Sequence, residues 1–295
     1  MNDQASDTGN GRSVRSGCRI LVFIPMYNCA AQIPRVLAHF DDQEICERIG
    51  TILCVDNQST DDTIEQARMA LNASPVGEKY LSRNDDNYGL GGSHKVAIEF
   101  AMRHGFDFII VLHGDDQGSI CDILPYLADG EHHKCDALLG ARFMSGSMLE
   151  GYSALRMAAN HVFNWIFSVV AQDRLYDLGS GLNLFRTSIF TNGFHLRYAD
   201  DLTFNYFLIL GMAAHGVQYQ FFPITWREDD QVSNAKLLGQ GIKMLNLLRR
   251  RITNKDGFLR GEHRDTPRTD YPSTILQSWS AASTTDRYRQ SEKDS

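Results

Sequence analysis

The sequence predicts an α/β fold in three layers, with a mostly parallel central sheet that helices cover on both faces. Short apolar runs rich in branched residues, such as residues 19–25 and 51–55, are typical of buried parallel strands. Segments with apolar residues at every third or fourth position follow these runs, as in helices that pack on a sheet. Because strands and helices alternate at short spacing, crossover connections join them, and such connections produce parallel strands.

The elements can be placed in order along the chain. The first helix carries an apolar stripe that runs from Ile33 to Phe40, and the second starts at the capping residues 59–62. A Gly-rich turn, residues 89–92, precedes the third helix, which passes through Val96 and Phe100. The predicted strands are residues 19–25, 51–55, 107–112, 135–140, 182–185 and 217–223, and the later predicted helices are residues 154–172, 202–214 and 236–251.

The chain divides into four segments by composition. Residues 1–17 are polar and rich in Gly and Ser, and we expect a disordered lead. Residues 18–232 form one α/β domain, and residues 233–260 form a basic amphipathic helical extension. Residues 261–295 are polar and rich in Ser and Thr, which predicts a disordered tail. In the extension, Leu237, Leu238, Ile242, Leu245 and Leu248 alternate with Lys236, Lys243, Arg249, Arg250 and Arg251.

Composition and charge exclude several classes of protein. The 295 residues include 29 Lys and Arg against 36 Asp and Glu, a net charge of −7, which argues against a broad basic surface for nucleic acid and favours a small-molecule partner. None of the six cysteines forms a C-x-x-C pair, and this fits free thiols in a reducing compartment. The sequence shows no signal peptide or membrane span, so we expect a cytoplasmic protein, at most peripheral at the inner membrane face.

Polar clusters follow three of the predicted strands, at residues 25–28, 56–59 and 113–117. Ligands of such sheets bind beyond the carboxyl ends of the strands, so we expect these clusters to meet at one edge. Asp56 suits hydrogen bonds from a base or a ribose, whereas Asp115 and the oxygens beside it suit Mg²⁺ or Mn²⁺ bound to a diphosphate. This pattern indicates sugar-nucleotide chemistry.

Each motif also has a plainer explanation. Asp56 suits a turn or a helix cap, the Gly-rich residues 89–92 suit a tight turn, and adjacent aspartates such as Asp115 and Asp116 are common in solvated loops. What favours function is the order of the motifs, because they follow alternating strands in the sequence expected of one binding edge.

Together the motifs resemble those of the inverting glycosyltransferases of family 2 with a GT-A fold, especially the polyprenol-phosphate branch that is similar to dolichol-phosphate mannose synthase. The resemblance covers residues 20–236. The family shows Pro-x-Tyr-Asn, Val-Asp-Asp/Asn-x-Ser-x-Asp and Asp-x-Asp-x-Gln motifs, and this chain has similar residues at 25–28, 55–61 and 113–117. Residues 140–142, 156–160 and 180–186 are similar to three further family segments.

The resemblance implies a role for each candidate residue. Donor contacts would come from Pro25, Tyr27, Asn28, Asp56, Asn57, Gly89, Gly91, Asp115 and Asp116; metal ligands would be Asp115, Gln117 and His113; and catalytic residues would be Asp201, Asp200, Arg142 and Arg156. Arg142 and Arg156 would lie near phosphate groups of the donor or the acceptor. The implied cofactor is Mn²⁺ or Mg²⁺.

Several positions depart from the family pattern. His113 replaces the first Asp of the metal motif, and imidazole suits Mn²⁺ better than Mg²⁺, which prefers oxygen ligands. Either His113 binds the metal, or Asp116 takes over that role. Cys29 stands where the family usually has Glu, Leu90 stands where Lys is frequent, and an Arg-rich phosphate loop of the family is reduced to residues 227–236.

The type of acceptor determines whether the implied reaction needs a general base. Departure of a nucleoside diphosphate builds negative charge, which a divalent ion and flanking arginines would stabilise, and direct in-line attack inverts the anomeric centre. An alcohol acceptor needs a general base, for which Asp201 or Asp200 is the candidate. A polyprenyl phosphate needs none, because a phosphate monoester with a second pKa of about 6 is already ionised at pH 7.

We therefore predict a hexosyltransferase of cell-envelope biosynthesis that transfers a sugar from a nucleotide-sugar donor to a polyprenyl phosphate at the cytoplasmic membrane face. Residues 236–251 would contact anionic headgroups through their cations, although a helix that only packs on the core explains them equally well. Two alternatives remain: a polysaccharide glycosyltransferase with a sugar hydroxyl as acceptor, and a non-catalytic nucleotide-sugar-binding protein. A dehydrogenase is excluded, because residues 25–28 occupy the position of a G-x-G-x-x-G turn.

Overall fold

The computed structural model describes residues 17–228 and 237–280, with side chains described outside residues 237–241. Ten strands lie in these parts of the chain: β1 Ile20–Met26, β2 Thr51–Asp56, β3 Glu78–Asn84, β4 Phe108–Leu112, β5 Ala137–Ala141, β6 Met148–Glu150, β7 Leu182–Arg186, β8 Tyr219–Pro223, β9 Thr225–Arg227 and β10 Ser273–Ser280. The helices there are α1 Ile33–Ala38, α2 Gln43–Arg48, α3 Thr63–Ala73, α4 Gly89–Arg103, α5 Leu124–Ala128, α6 Ala154–Ala171, α7 Phe204–Ala214, α8 Leu237–Thr253 and α9 Lys255–Arg260.

Eight of these strands form one sheet in the order β10-β3-β2-β1-β4-β7-β5-β8. Strands β3, β2, β1 and β4 pair in parallel, and so do β5 and β8. Only β7 and β10 run antiparallel to their neighbours in the described sheet. The prediction of an α/β fold with a mostly parallel central sheet is therefore confirmed. Strands β6 and β9 form a separate parallel pair.

The core lies on both faces of this sheet. Alternate residues of β1 point to opposite sides, so that Leu21 and Phe23 join one buried cluster while Val22 and Ile24 join the other. The first cluster contains apolar residues of α4, α7 and α8, and the second contains those of α1 and α3. A strand buried on both faces has no polar alternation, which explains the continuous apolar run of β1.

The carboxyl ends of β1, β2 and β4 are joined by backbone hydrogen bonds. The amide of Asn57 donates to the carbonyl of Met26 at 2.9 Å, and the amide of Gly114 donates to the carbonyl of Pro25 at 3.1 Å. A side chain at Gly114 would place its Cβ 2.9 Å from that Pro25 oxygen, so only glycine permits this approach. The three polar clusters therefore meet at one edge of the sheet, as the sequence predicts.

The C-terminal prediction is wrong for residues 261–280. These residues are ordered, and β10 adds an edge strand to the sheet by pairing antiparallel with β3. The prediction of disorder relied on the high Ser and Thr content of this segment. However, Thr, Ile and Trp in Ser273–Ser280 also favour a strand. Strand β3 was not predicted either, because charged residues interrupt its apolar pattern. The predicted disordered segments 1–16 and 281–295 lie outside the described residues.

The predicted helical extension is present as α8 and α9 in residues 237–260. Its face toward the core differs from the predicted stripe: Leu247 and Leu248 are buried, whereas Ile242 and Leu245 are exposed. Within the described residues, no helix has the length and apolar character required to cross a bilayer.

Removal of β10 should weaken the fold. A chain that ends at Pro272 loses the ladder between β10 and β3, and we expect its free energy of unfolding to fall by about 2 kcal/mol, given several cross-strand pairs of 0.2–1 kcal/mol each. Urea denaturation measures this difference. The matched control ends at Ser280 and should retain the stability of the full chain. Equal stability of the two truncated chains would show that β10 adds nothing to the sheet.

Candidate functional site

Asp115 is the central acid of the candidate site. It follows β4, and its Oδ1 accepts a hydrogen bond from the amide of Gln117 at 3.3 Å. Its side chain is 24% exposed, and among the described residues no Lys or Arg lies within ion-pair distance of it. Burial raises the pKa of Asp115 to about 6, and the neighbouring charge of Asp116 acts in the same direction. The site therefore contains a carboxylate that forms no ion pair with a described residue, although the charge of Arg142 acts on it from a distance.

Asp116 differs from its neighbour in both exposure and pairing. It is buried, and its carboxylate lies 2.6 Å from Nε of Arg35 on α1 and 3.2 Å from a guanidinium nitrogen of Arg227 on β9. Its φ of +61° lies in the left-handed region, which places the side chains of the two adjacent aspartates in different surroundings. Asp116 therefore ties α1 and β9 to the loop after β4, and its predicted contact with the donor stays a prediction.

His113 lies beside Asp115, with 4.0 Å between its Nδ1 and Oδ2 of Asp115. Burial lowers the pKa of His113 to about 4, so the imidazole is neutral at pH 7 and retains a lone pair. Its Nε2 is buried and has no hydrogen-bond partner in the described part of the chain. Gly181 makes room for this ring, because a Cβ there would lie 2.7 Å from it.

His113 and Asp115 fit a divalent cation. The pair offers a neutral imidazole and a carboxylate without an ion-pair partner among the described residues, a combination that suits Mn²⁺ better than Mg²⁺. Within the described part of the chain, no third His, Cys, Asp or Glu completes a metal cluster with them. Further ligands would then come from the diphosphate and from water. The side chain of Gln117 is a predicted ligand, whereas its backbone carbonyl already accepts a hydrogen bond from Arg227 at 2.9 Å.

Asp56 lies at the end of β2 and is fully buried. Its two oxygens accept hydrogen bonds from the amide of Ser59 at 3.3 and 3.2 Å, and Nε of Arg83 lies 3.4 Å away. Arg83 belongs to β3, so sequence reasoning that missed this strand also missed the arginine. Tyr27, by contrast, is 54% exposed beside the end of β1 and is available to a ligand.

Two asparagines of the candidate site organise loops. Oδ1 of Asn28, a residue with a φ of +50°, accepts a hydrogen bond from the amide of Thr60 at 2.8 Å. Oδ1 of Asn57 accepts one from Asn84 at 2.9 Å, and its Nδ2 donates to Asn87 at 2.8 Å. These bonds hold the loops after β1, β2 and β3 together at the shared edge. Direct contact of Asn28 and Asn57 with a donor stays a prediction.

The Gly-rich turn packs against the segment that carries Asp200 and Asp201. The amide of Gly91 donates to the carbonyl of Asp200 at 2.7 Å. Gly89 has a φ of +72°, and a Cβ there would lie 2.4 Å from the same carbonyl oxygen. These glycines allow the turn to position the two aspartates, and their predicted contact with the donor stays a prediction.

The carboxylate of Asp200 binds two neighbouring side chains. Nζ of Lys95 lies 2.6 Å from Oδ1, and the hydroxyl of Tyr271 donates to the same oxygen at 2.8 Å. Lys95 is fully buried in α4 and also donates to the carbonyl of Tyr198 at 2.6 Å; burial lowers its pKa to about 8. Sequence reasoning missed Lys95, since a lysine within an apolar helix is not a signal by itself.

Asp201 is more exposed than Asp200, at 37% against 18% for the side chains. Its Oδ2 lies 2.6 Å from Nζ of Lys243 on α8, and its Oδ1 accepts a hydrogen bond from the amide of Thr203 at 2.9 Å. Burial acts to raise the pKa of Asp201, but the bonds from Lys243 and Thr203 outweigh it, and the pKa lies below its ordinary value. Asp201 is therefore the accessible carboxylate of the pair.

A cavity of about 360 Å³ lies next to Asp201. One wall is α8, which contributes Lys243 and Arg250; the opposite wall comes from the segment that contains His263, Asp265 and Arg268. Arg268 pairs with Asp86 at 2.7 Å, whereas Arg250 makes no ion pair with any described residue. The remaining lining includes Asn87, Gly89 and Asp200, so the cavity adjoins the shared edge of the sheet.

The two arginines predicted to bind phosphate are both paired. Arg142 forms two hydrogen bonds with the buried carboxylate of Asp177, at 2.7 and 2.9 Å, and lies 4.9 Å from the ring of Trp226. Arg156 pairs with Glu228 and lies over the ring of Tyr152. The charge of Arg142 contributes to the low pKa of His113, second to burial, so this arginine acts on the candidate metal pair from a distance. Direct binding of phosphate by either arginine stays a prediction.

The open α/β sheet with acids at the carboxyl ends of its strands defines a nucleotide-dependent transferase of the GT-A type. The sequence profile of glycosyl transferase family 2 matches residues 21–194, more than half of the chain, and the chain belongs to that family. No curated protein matches it in sequence.

Solved structures with similar folds have little sequence identity. Glucosyl-3-phosphoglycerate synthase from Mycobacterium tuberculosis, in complex with Mn²⁺, UDP and glucosyl-3-phosphoglycerate, is 13% identical with a TM-score of 0.56; 90% of this chain and 91% of that chain are covered. Mannosyl-3-phosphoglycerate synthase from Rubrobacter xylanophilus is 13% identical with a TM-score of 0.57, covering 90% and 89%. S. aureus TarS with UDP-GlcNAc is 18% identical with a TM-score of 0.52, covering 81% and 67%. These similarities support the fold.

The raised pKa of Asp115 predicts a pH dependence of metal binding. Below about pH 6 the carboxylate takes up a proton and loses its charge, so the affinity for Mn²⁺ in the presence of UDP should fall as the pH decreases through 6. In Asp115→Asn the affinity should be at least about tenfold lower at pH 7, and its difference from the wild type should shrink below pH 6, because the terminal phosphate of UDP titrates equally in both proteins. Titration of free Mn²⁺, monitored by electron paramagnetic resonance, measures both effects.

The matched control is Asp116→Asn, which removes a carboxylate already paired with Arg35 and Arg227. This variant should retain the titration near pH 6. An Asp115→Asn variant that binds Mn²⁺ with wild-type affinity and pH dependence would contradict the assignment.

Proposed function

We propose that the protein is a metal-dependent, inverting glycosyltransferase that moves a sugar from a nucleotide-sugar donor to a polyprenyl phosphate at a membrane surface. The observation that carries the proposal is the carboxylate of Asp115, without an ion-pair partner among the described residues, beside the neutral imidazole of His113 at the edge of the sheet where such folds bind ligands. A divalent cation at this point would be stabilised by that carboxylate.

The donor would lie along the shared edge. Tyr27 and the paired charges of Asp56 and Arg83 would hold the nucleoside, and His113 with Asp115 would hold the cation. When bound, a divalent ion supplies charge compensation for the departing diphosphate. The protein contributes fixed positions, because hydrogen bonds between the loops after β1, β2 and β3 already set the edge.

The acceptor would occupy the cavity beside Asp201. Lys243 and Arg250 present two cations on one wall, which suits a phosphate group, although Asp265 on the opposite side offsets part of this charge. A phosphate acceptor is already ionised and needs no proton transfer to a base. Asp201 has a lowered pKa, whereas an effective general base has a pKa near the working pH. These properties favour a phosphate acceptor over a sugar hydroxyl.

A lipid carrier for that phosphate is supported by exposed apolar side chains on α8. Ile242, Leu245 and Ile252 share a face with Arg249 and are 54–66% exposed, while the core-facing side of the helix is formed by other residues. A helix with apolar and basic residues on one outer face suits an anionic membrane surface. Helix α6, which packs on α8, adds a second exposed apolar row formed by Leu155, Val162, Trp165 and Val169.

A sugar hydroxyl acceptor is the second candidate, because Asp201 reaches the cavity and is the more exposed of the two aspartates. In that reaction Asp201 would exchange its bond to Lys243 for one to the attacking hydroxyl. The two candidates differ in how strongly activity depends on this carboxylate. A protein that binds donors without catalysis is the third outcome to be distinguished.

Transfer assays separate these candidates. With Mn²⁺ and a panel of nucleotide sugars, release of nucleoside diphosphate should depend on a polyprenyl phosphate, and Asp201→Asn should retain turnover within about fivefold, because an ionised acceptor needs no base. A decrease in turnover of more than about a hundredfold in Asp201→Asn, together with turnover on soluble saccharides, would show that the acceptor is a sugar hydroxyl. Donor binding by calorimetry without turnover on any acceptor would contradict catalysis.

The cavity itself is tested by Arg250→Ala. Arg250 forms no ion pair with a described residue, and its removal should raise KM for a short-chain, water-soluble polyprenyl phosphate by about tenfold, with a smaller change in kcat. The control is Arg249→Ala, since Arg249 is the adjacent exposed arginine and does not line the cavity. Equal KM values for the two variants would remove the cavity from the acceptor site.

A further inference from the structure

We propose that the chain has a second metal site, for Zn²⁺ or a similar borderline-soft divalent ion, formed by Cys18, His132 and His133. One ligand atom from each of these residues lies within 4.8 Å of the others. Cys18 precedes the amino end of β1, and the two histidines form the short 3₁₀ turn Glu131–His133 after α5. The cluster is therefore at the opposite edge of the sheet from Asp115, which follows the carboxyl end of β4.

The donor set defines the class of metal. One thiolate and two imidazoles are typical ligands of Zn²⁺, whereas Mg²⁺ and Mn²⁺ favour oxygen-rich sites such as the one near Asp115. Ligands at 2.0–2.3 Å from a tetrahedral centre are about 3.3–3.8 Å apart. The three ligand atoms are at most 4.8 Å apart and would have to approach one another by roughly 1 Å to bind an ion. Rotation of the exposed side chain of Cys18 can supply this movement. Three protein ligands leave the fourth position to water.

His132 supplies an independent observation. Its side chain is 6% exposed, and its Nδ1 is buried without a hydrogen-bond partner among the described residues. A buried polar nitrogen without a partner is costly, and a bound metal ion would satisfy it.

The surrounding residues hold the two histidines in place. Their rings lie 3.9 Å apart, and both make edge contacts with Phe108, the first residue of β4, at 5.3 and 6.0 Å. Arg186 lies over the same Phe108 ring at 4.5 Å and donates hydrogen bonds to the carbonyls of His132 and Cys135. The turn is therefore fixed on the sheet before any ion binds, which lowers the cost of assembling the site.

Two charged side chains act on Cys18: Asp107 and Arg186. Arg186 lies 3.4 Å from Asp136, so its charge is partly compensated. A bound ion would link the start of β1 to the turn after α5.

Cobalt provides the direct test, because a cobalt–thiolate bond gives a charge-transfer absorption that oxygen ligands do not. The full chain, freed of metal and then saturated with Mn²⁺, should bind one equivalent of Co²⁺ with this absorption, and Zn²⁺ should displace it. Cys18→Ser should abolish the band and reduce Zn²⁺ affinity at least about tenfold. Cys121→Ser, which changes another exposed free cysteine, should leave both unchanged.

His133→Ala should also lower Zn²⁺ affinity at least about tenfold, and Zn²⁺ should raise the melting temperature of the wild type but not of Cys18→Ser. These readouts do not depend on glycosyl transfer, so their failure is separate from a failure of the proposed function. Absence of the charge-transfer band in the wild type, or its persistence in Cys18→Ser, would overturn the proposal.

Discussion

The arrangement of the candidate site depends on one carboxylate that lacks a basic partner. Asp115 lies at the end of a buried strand, where desolvation disfavours its charge; no described Lys or Arg forms an ion pair with it, and Arg142 compensates it only in part, from a distance. A cation that arrives with a diphosphate would relieve this cost. The free protein therefore carries an electrostatic penalty that a bound cation would remove, and this favours binding of the charged ligand. In a structural ion pair, by contrast, the compensating charge is already part of the protein.

Five other acids around this edge are paired with bases. Asp56 lies 3.4 Å from Arg83, Asp116 lies 2.6 Å from Arg35, Asp177 lies 2.7 Å from Arg142, Asp200 lies 2.6 Å from Lys95, and Asp201 lies 2.6 Å from Lys243. Buried pairs of this kind fix the positions of loops, because loss of one partner leaves an uncompensated charge. The contrast supports the proposal that Asp115 binds the cation, while the paired acids hold the edge in shape.

Local patterns in the sequence predict the parallel strands and the motifs after them, since each strand is a short branched run that ends in polar residues. The pairing of the acids depends on distant parts of the chain, and no local pattern reveals it. Arg83 belongs to β3, whose mixture of charged and apolar residues hides a strand next to the sheet edge. Tyr271, which bonds to Asp200, lies in a tail whose Ser and Thr content indicated disorder, although that tail pairs with β3. The role of Lys95 is likewise evident only in the fold, where this residue is buried and pairs with Asp200.

The central claim is that Asp115 and His113, and not the paired Asp116, hold the cation of the donor. Anomalous diffraction from a crystal grown with Mn²⁺ and UDP tests it most directly, because manganese is located without reference to its ligands. The account predicts an anomalous peak within coordination distance of the carboxylate of Asp115 and the imidazole of His113. A peak on Asp116, or an ion bound to UDP away from the end of β4, would contradict it.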